Sequence, residues 1–132
     1  MALADGLAVA TANKMLDLFA SASQTLAANV WAQLHTGIPG ATGVNAASAN
    51  TNRREVTFAA AAAGSKAANG TLPSWTAWAS GTETITSISL WTASTSGTYL
   101  GSVDLSADKV VNNTDTLNIT AITLAISTLA TT

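Results

Sequence analysis

The sequence predicts a mainly β chain: an antiparallel β-sandwich of about seven to eight strands behind an N-terminal amphipathic α-helix. Three observations predict it. Residues 3–27 are rich in Ala and Leu, contain no Pro, and carry apolar residues at helical spacing. From Asn29 onward, short alternating runs are separated by clusters of Gly, Pro, Asn and Ser. These runs follow one another without the intervening helical patterns of a parallel α/β sheet. The chain therefore divides into a helix and linker over 1–27 and a β-sandwich domain over 28–132, a single-domain length of 132 residues in all.

The helix is expected over about residues 5–22, with Leu7, Thr11, Met15, Leu18, Phe19 and Ala22 on one stripe. Asp5 sits where a helix N-terminus favours negative charge, Gly6 weakens the first turn, and Lys14 and Asp17 lie at the edge of the stripe. Residues 30–35 alternate as a first strand, followed by the turn-rich loop 37–43 and small polar residues up to Asn52. Residues 55–58 form a second strand. The alanine run 59–63 has helical propensity but is short, so a strand edge or bulge is an equal reading. Asn69-Gly70 is a tight-turn signal, and residues 72–75 read as an edge strand because Pro73 cannot donate to a ladder.

The second half is more regular. Residues 84–91 are rich in β-branched residues, with Ile88 and Leu90 on one face. Residues 94–97 read as a hairpin turn, 98–105 as the returning strand, and 112–115 as another turn. Asp104 and Asp108 are expected to bracket a turn. Leu117, Ile119, Ile122, Leu124 and Ile126 follow, with a phase slip that predicts a bulge or bend at Thr120-Ala121.

Charge bounds the function. Only 9% of residues are charged, against about 25% in ordinary soluble domains, and mean hydropathy is +0.32. A surface this poor in charge is weakly protected against association, which points to cover by neighbouring molecules. Net charge is -2 and Arg53-Arg54 is the one basic pair, so nothing resembles a phosphate-neutralising stripe and nucleic acid is not an expected partner. No apolar run approaches the roughly 18 residues of a membrane span. The start of the chain lacks the positive residues of a secretory signal. No internal repeat of fixed period exists, so the chain is a compact unit and not by itself an extended shaft.

Chemistry is sparse. There is no cysteine, hence no disulfide, zinc-thiolate site or thiol nucleophile. The one histidine, His35, reads as a hydrogen-bonded strand-end residue, since no nucleophile and orienting acid are nominated beside it. The seven carboxylates form no paired motif, and Gly37-Ile38-Pro39-Gly40 lacks the Gly-Lys-Ser/Thr ending of a phosphate loop. No catalytic residue, cofactor or metal site is expected. Among four tryptophans, Trp91 falls on a strong strand and reads as packing, whereas Trp75 and Trp78 divide between core packing and a contact with a sugar or a partner. Candidate partner-interface residues are thus Met15, Leu18 and Phe19 on the helix, together with Trp75 and Trp78.

Residues 32–43, Ala-Gln-Leu-His-Thr-Gly-Ile-Pro-Gly-Ala-Thr-Gly, resemble a segment of small virion proteins of tailed bacteriophages, common in phages of actinobacteria and described as minor capsid, head-decoration or tail-fibre-like proteins. The resemblance continues through Arg54-Glu55-Val56-Thr57-Phe58-Ala59-Ala60, through residues 89–101, and through Asp115-Thr116-Leu117-Asn118-Ile119; residues 59–82 depart most. It implies a non-enzymatic structural protein of the virion, made in the host bacterial cytoplasm. The first reading is a minor capsid or head-decoration protein that packs on the virion surface as a small homo-oligomer against major capsid or tail proteins. The alternatives are a minor tail or tail-tip protein contributing to contact with a host surface glycan, and a free-standing carbohydrate-binding or hydrolytic module.

Overall fold

A computed structural model of the chain describes residues 6–19 and 29–125. The protein is mainly β and its strand pairs are antiparallel. One five-stranded sheet is built from β1 (Gly6–Leu7), β7 (Tyr99–Val111), β6 (Glu83–Trp91), β2 (Val30–His35) and β3 (Arg54–Val56), in that spatial order. Two ribbons complete the fold: β4 (Ser65–Ala67) with β9 (Thr123–Ala125), and β5 (Ser74–Trp75) with β8 (Leu117–Asn118). One helix, α1, spans Val9–Asp17 among the described residues.

The period-2 alternation decides which side of the sheet is core. In β2, Ala32 and Leu34 pair with Leu90 and Ile88 of β6, and all four are buried. Val56, Ile85 and Val111 extend that layer, and Trp75, Trp78, Leu117, Ile119 and Ile122 from the ribbon-bearing segments pack over it. The core thus lies between two layers, as a sandwich requires. The second layer is two short ribbons and not one continuous sheet. The reason is local: Pro73 cannot donate and so ends the ladder at β5, and the bend over residues 119–122 sends β8 and β9 to different partners while burying both Ile119 and Ile122. The phase slip at Thr120-Ala121 is this bend.

Several elements differ from the local reading. Gly6 and Leu7 are not helical; they pair with Ser102 and Gly101 at the edge of β7, and the Ala8 N–H donates to the Leu100 carbonyl at 2.9 Å. Backbone pairing at an available sheet edge wins there over the weak helix propensity of Gly6. The close approach needs glycine at 101, since a Cβ would meet the Gly6 carbonyl oxygen. Asp5, Ala22 and Ile126 lie outside the described residues.

The alanine run is one arm of a tight hairpin. Ala62 and Ser65 exchange backbone hydrogen bonds across Ala63 (φ 48) and Gly64 (φ 75), both left-handed as a two-residue hairpin turn demands. β7 runs to Val111, beyond the end expected at Leu105. Asp104 and Asp108 do not bracket a turn. Asp104 still pairs with Ser87, and residues 105–108, Asp108 among them, form a bulge that stands against Thr86 alone on β6, after which Lys109, Val110 and Val111 resume pairing with Ile85, Thr84 and Glu83.

Candidate functional site

The sheet face opposite the core carries Trp31, Gln33 and His35 of β2 beside Trp91, Ser89 and Ser87 of β6, because these are the alternate residues of two strands in register. The loop between β2 and β3 folds back over this face. Thr36 N–H donates to the Ala46 carbonyl at 2.8 Å and Ser48 N–H to the Leu34 carbonyl at 3.0 Å. Gly43 (φ +75) lies so near Tyr99 that any Cβ would run into the ring.

Under the loop, His35 is fully buried. Its Nδ1 is 2.8 Å from the Asn45 carbonyl oxygen and its Nε2 is 2.7 Å from Ser89 Oγ. Ser89 Oγ is also 2.7 Å from Trp91 Nε1. These contacts have one consistent polarity. A carbonyl only accepts, so His35 Nδ1 carries the proton; an indole N–H only donates, so Ser89 accepts from Trp91 and donates to His35 Nε2. Burial pushes the His35 pKa below its ordinary value, with a smaller push from the Arg53 charge, against the Asn45 and Ala46 carbonyls that favour the protonated ring. The imidazole is neutral at neutral pH.

Arg53 closes the outer end of the network. Its guanidinium lies 3.8 Å from the Trp91 ring centroid, its Nε donates to Gln33 Oε1 at 2.9 Å, and one Nη donates to the Ala93 and Ser96 carbonyls at 3.0 and 2.6 Å. Tyr99 packs against Trp91 in a tilted arrangement, with ring centroids 5.4 Å apart. On the adjoining edge, Ser87 Oγ donates to the Gly37 carbonyl at 2.8 Å.

A serine within hydrogen-bond reach of a histidine is the geometry of an activated nucleophile. Here the orienting group is a peptide carbonyl and not a carboxylate, and both Ser89 and His35 show no accessible surface. What the arrangement does is fasten a long polar loop to the sheet while satisfying every polar atom it covers. Among the described residues, no group of three or more His, Cys, Asp or Glu is placed to hold a metal ion, and no helix is long and apolar enough to cross a membrane.

The five residues nominated for a partner contact fall in two places. Trp75 and Trp78 are core residues with essentially no exposure, their indole N–H groups donating to the Asn52 carbonyl at 2.7 Å and the Gly81 carbonyl at 2.8 Å. Both rings are part of the core cluster with residues such as Ile85, Ile88 and Leu117, and neither is presented to a partner or a sugar. Met15, Leu18 and Phe19 lie on the N-terminal segment, where Leu18 is 52% and Phe19 89% exposed and Met15 is half-buried. Leu7, Val9 and Leu16, at 51%, 72% and 65%, are exposed beside them. Ser89 and Arg53 were not singled out from the sequence. The signal for Ser89 was available, since it alternates with Ile88 and Leu90 and so shares a face with Trp91; Arg53 carried none, because its role depends on a loop folding back.

Over residues 6–127 the chain matches the family described as "Podophage GP4 fiber I protein gp80". No curated protein matches it.

Proposed function

We infer the function from one premise: the chain belongs to this family of podophage fibre proteins, and is therefore a structural component of a phage virion. We propose that it serves on the tail side, as part of a fibre that contributes to host contact. The observation that carries this reading is the match across residues 6–127, which takes in every described residue. A fibre description favours the tail-related alternative over decoration of the capsid surface.

The physical character of the chain supports a structural role. Its rigid part is a two-layer β body with the loop of residues 36–53 pinned by a buried network, and its apolar surface is concentrated on the N-terminal segment. The β body would present the loop ends while the N-terminal segment fixes the chain to other virion proteins. The test is immunogold electron microscopy of intact virions with antibody raised against the purified chain. Label confined to the tail and its appendages is the expected result. Label spread over the capsid faces overturns the tail assignment and restores the decoration reading.

A further inference from the structure

Helix α1 and its flanking residues carry two stripes, one seated on the fold over most of its length and one open. Ala8, Thr11, Met15 and Leu18 follow a spacing of three, four and three residues; Ala8 and Thr11 are buried, Met15 is half-buried, Leu18 at the far end is 52% exposed, and α1 contacts β7. Val9, Ala12, Leu16 and Phe19 repeat the same spacing on the adjoining side. There Val9 is 72%, Leu16 65% and Phe19 89% exposed, with Phe19 held one turn beyond Leu16 by its N–H donating to the Leu16 carbonyl at 3.0 Å. A three-four-three stripe is the a/d seam by which helices pack side by side.

We propose that Val9, Ala12, Leu16 and Phe19 form a self-association seam, whose occupant is the same stripe of a second copy of this chain. This deepens the fibre reading above and rests on it for its setting. Three observations favour a second copy over an unrelated partner. The stripe is complementary to itself, since each large residue at one end can fill the gap at Ala12 in a symmetric mate. The positions flanking it, Asn13 and Met15, carry no charge, so two identical helices meet without repulsion and without a charge code for a different partner. Third, Val9, Leu16 and Phe19 expose roughly 400 Å² of apolar surface per copy, about half of the ~800 Å² each partner gives to a stable interface, and Leu7 and Leu18, at 51% and 52% exposed, border the patch. The Thr11 hydroxyl, buried without a hydrogen-bond partner, shows in addition that the helix's seat on its own β7 is imperfect. A compact chain with no internal repeat builds a fibre only through contacts between chains.

The experiment is light scattering with size exclusion and sedimentation velocity on the whole purified chain. The wild type should run as a multiple of 13.2 kDa. Leu16→Glu combined with Phe19→Glu should weaken association about 100-fold, as expected for two interface anchors, with unchanged circular dichroism because both side chains are exposed. Val110→Glu, a control at an exposed site on β7, should leave the mass unchanged. In a chain with no native cysteine, Leu16→Cys should form a dimer under mild oxidation. A monomeric wild type, or a double variant that associates as the wild type does, overturns the seam. If the wild type is monomeric and yet the double variant is missing from virions that incorporate the wild type, the stripe docks on another virion protein: the second copy is refuted while the fibre reading stands.

Discussion

Replacing Ser89 by alanine removes one oxygen and leaves two buried nitrogens without a partner. Trp91 Nε1 loses its acceptor at 2.7 Å, and His35 Nε2 loses its donor at the same distance. Neither has access to water, since His35 and Ser89 are fully buried and Trp91 nearly so. An orphaned buried polar group costs about 1–3 kcal/mol. Two of them, less some relaxation of the indole, give a loss of roughly 2–4 kcal/mol. For a domain of this size that is a fall in Tm on the order of 10 °C. Four tryptophans make intrinsic fluorescence a direct reporter, so urea and thermal unfolding of wild type and variant can be compared on the same signal. A Ser89→Ala variant whose Tm lies within about 2 °C of wild type would show that Ser89 does not link His35 to Trp91, and the assigned polarity would fail with it.

Three further outcomes follow from the same geometry. Because burial lowers the His35 pKa in the folded chain, the unfolded state takes up the proton first; the stability from the neutral buried ring is complete above the unfolded value of about 6.5 and is lost as pH falls below it toward the lowered folded value. Urea titrations across this window should show that slope in the wild type, and a His35→Gln variant that keeps the same slope would locate the titration elsewhere. Trp78→Ala should cost about 3–5 kcal/mol as a core truncation, so any loss of phage adsorption should track loss of folded protein in fluorescence; a fully folded variant defective in adsorption would place the ring at a surface instead. Gly43→Ala should destabilise by about 1–3 kcal/mol through left-handed strain and collision with Tyr99, read as faster proteolytic cleavage in the loop of residues 36–53, and unchanged cleavage would mean that this loop is not seated against Tyr99.

The parts that were legible share a local cause. Alternation in 30–35 and 84–91 reports which residues face a core whatever strand lies next to them, and both strands stand where the pattern puts them. Turn chemistry at 94–97 and 112–115 likewise acts within a few residues. The parts that were not legible depend on partners distant in sequence. Alternation with Ile88 and Leu90 assigns Ser89 to a face, but only the 54-residue separation closed by its bond to His35 makes it an anchor. The stretch between Asp104 and Asp108 reads as a turn, yet the strand continues since Lys109, Val110 and Val111 find partners on β6. The helix begins at Val9 and not near residue 5 because the edge of β7 offers Gly6 and Leu7 hydrogen bonds that no local propensity anticipates.

By itself the sequence determined that this chain is mainly β with a short N-terminal helix, that only 9% of its residues are charged, and that it has no cysteine. Those properties are sums over local choices: propensity, period and composition. Only the tertiary structure decided which apolar residues are core and which are surface. Trp75 and Trp78, in a polar, small-residue segment, are sealed inside, whereas Leu16 and Phe19, on a periodic helix, face solvent. Hydrophobicity is a property of a side chain, but burial belongs to the surface that arrives to cover it, and for the stripe from Val9 to Phe19 that surface is not supplied by the described residues of the chain itself.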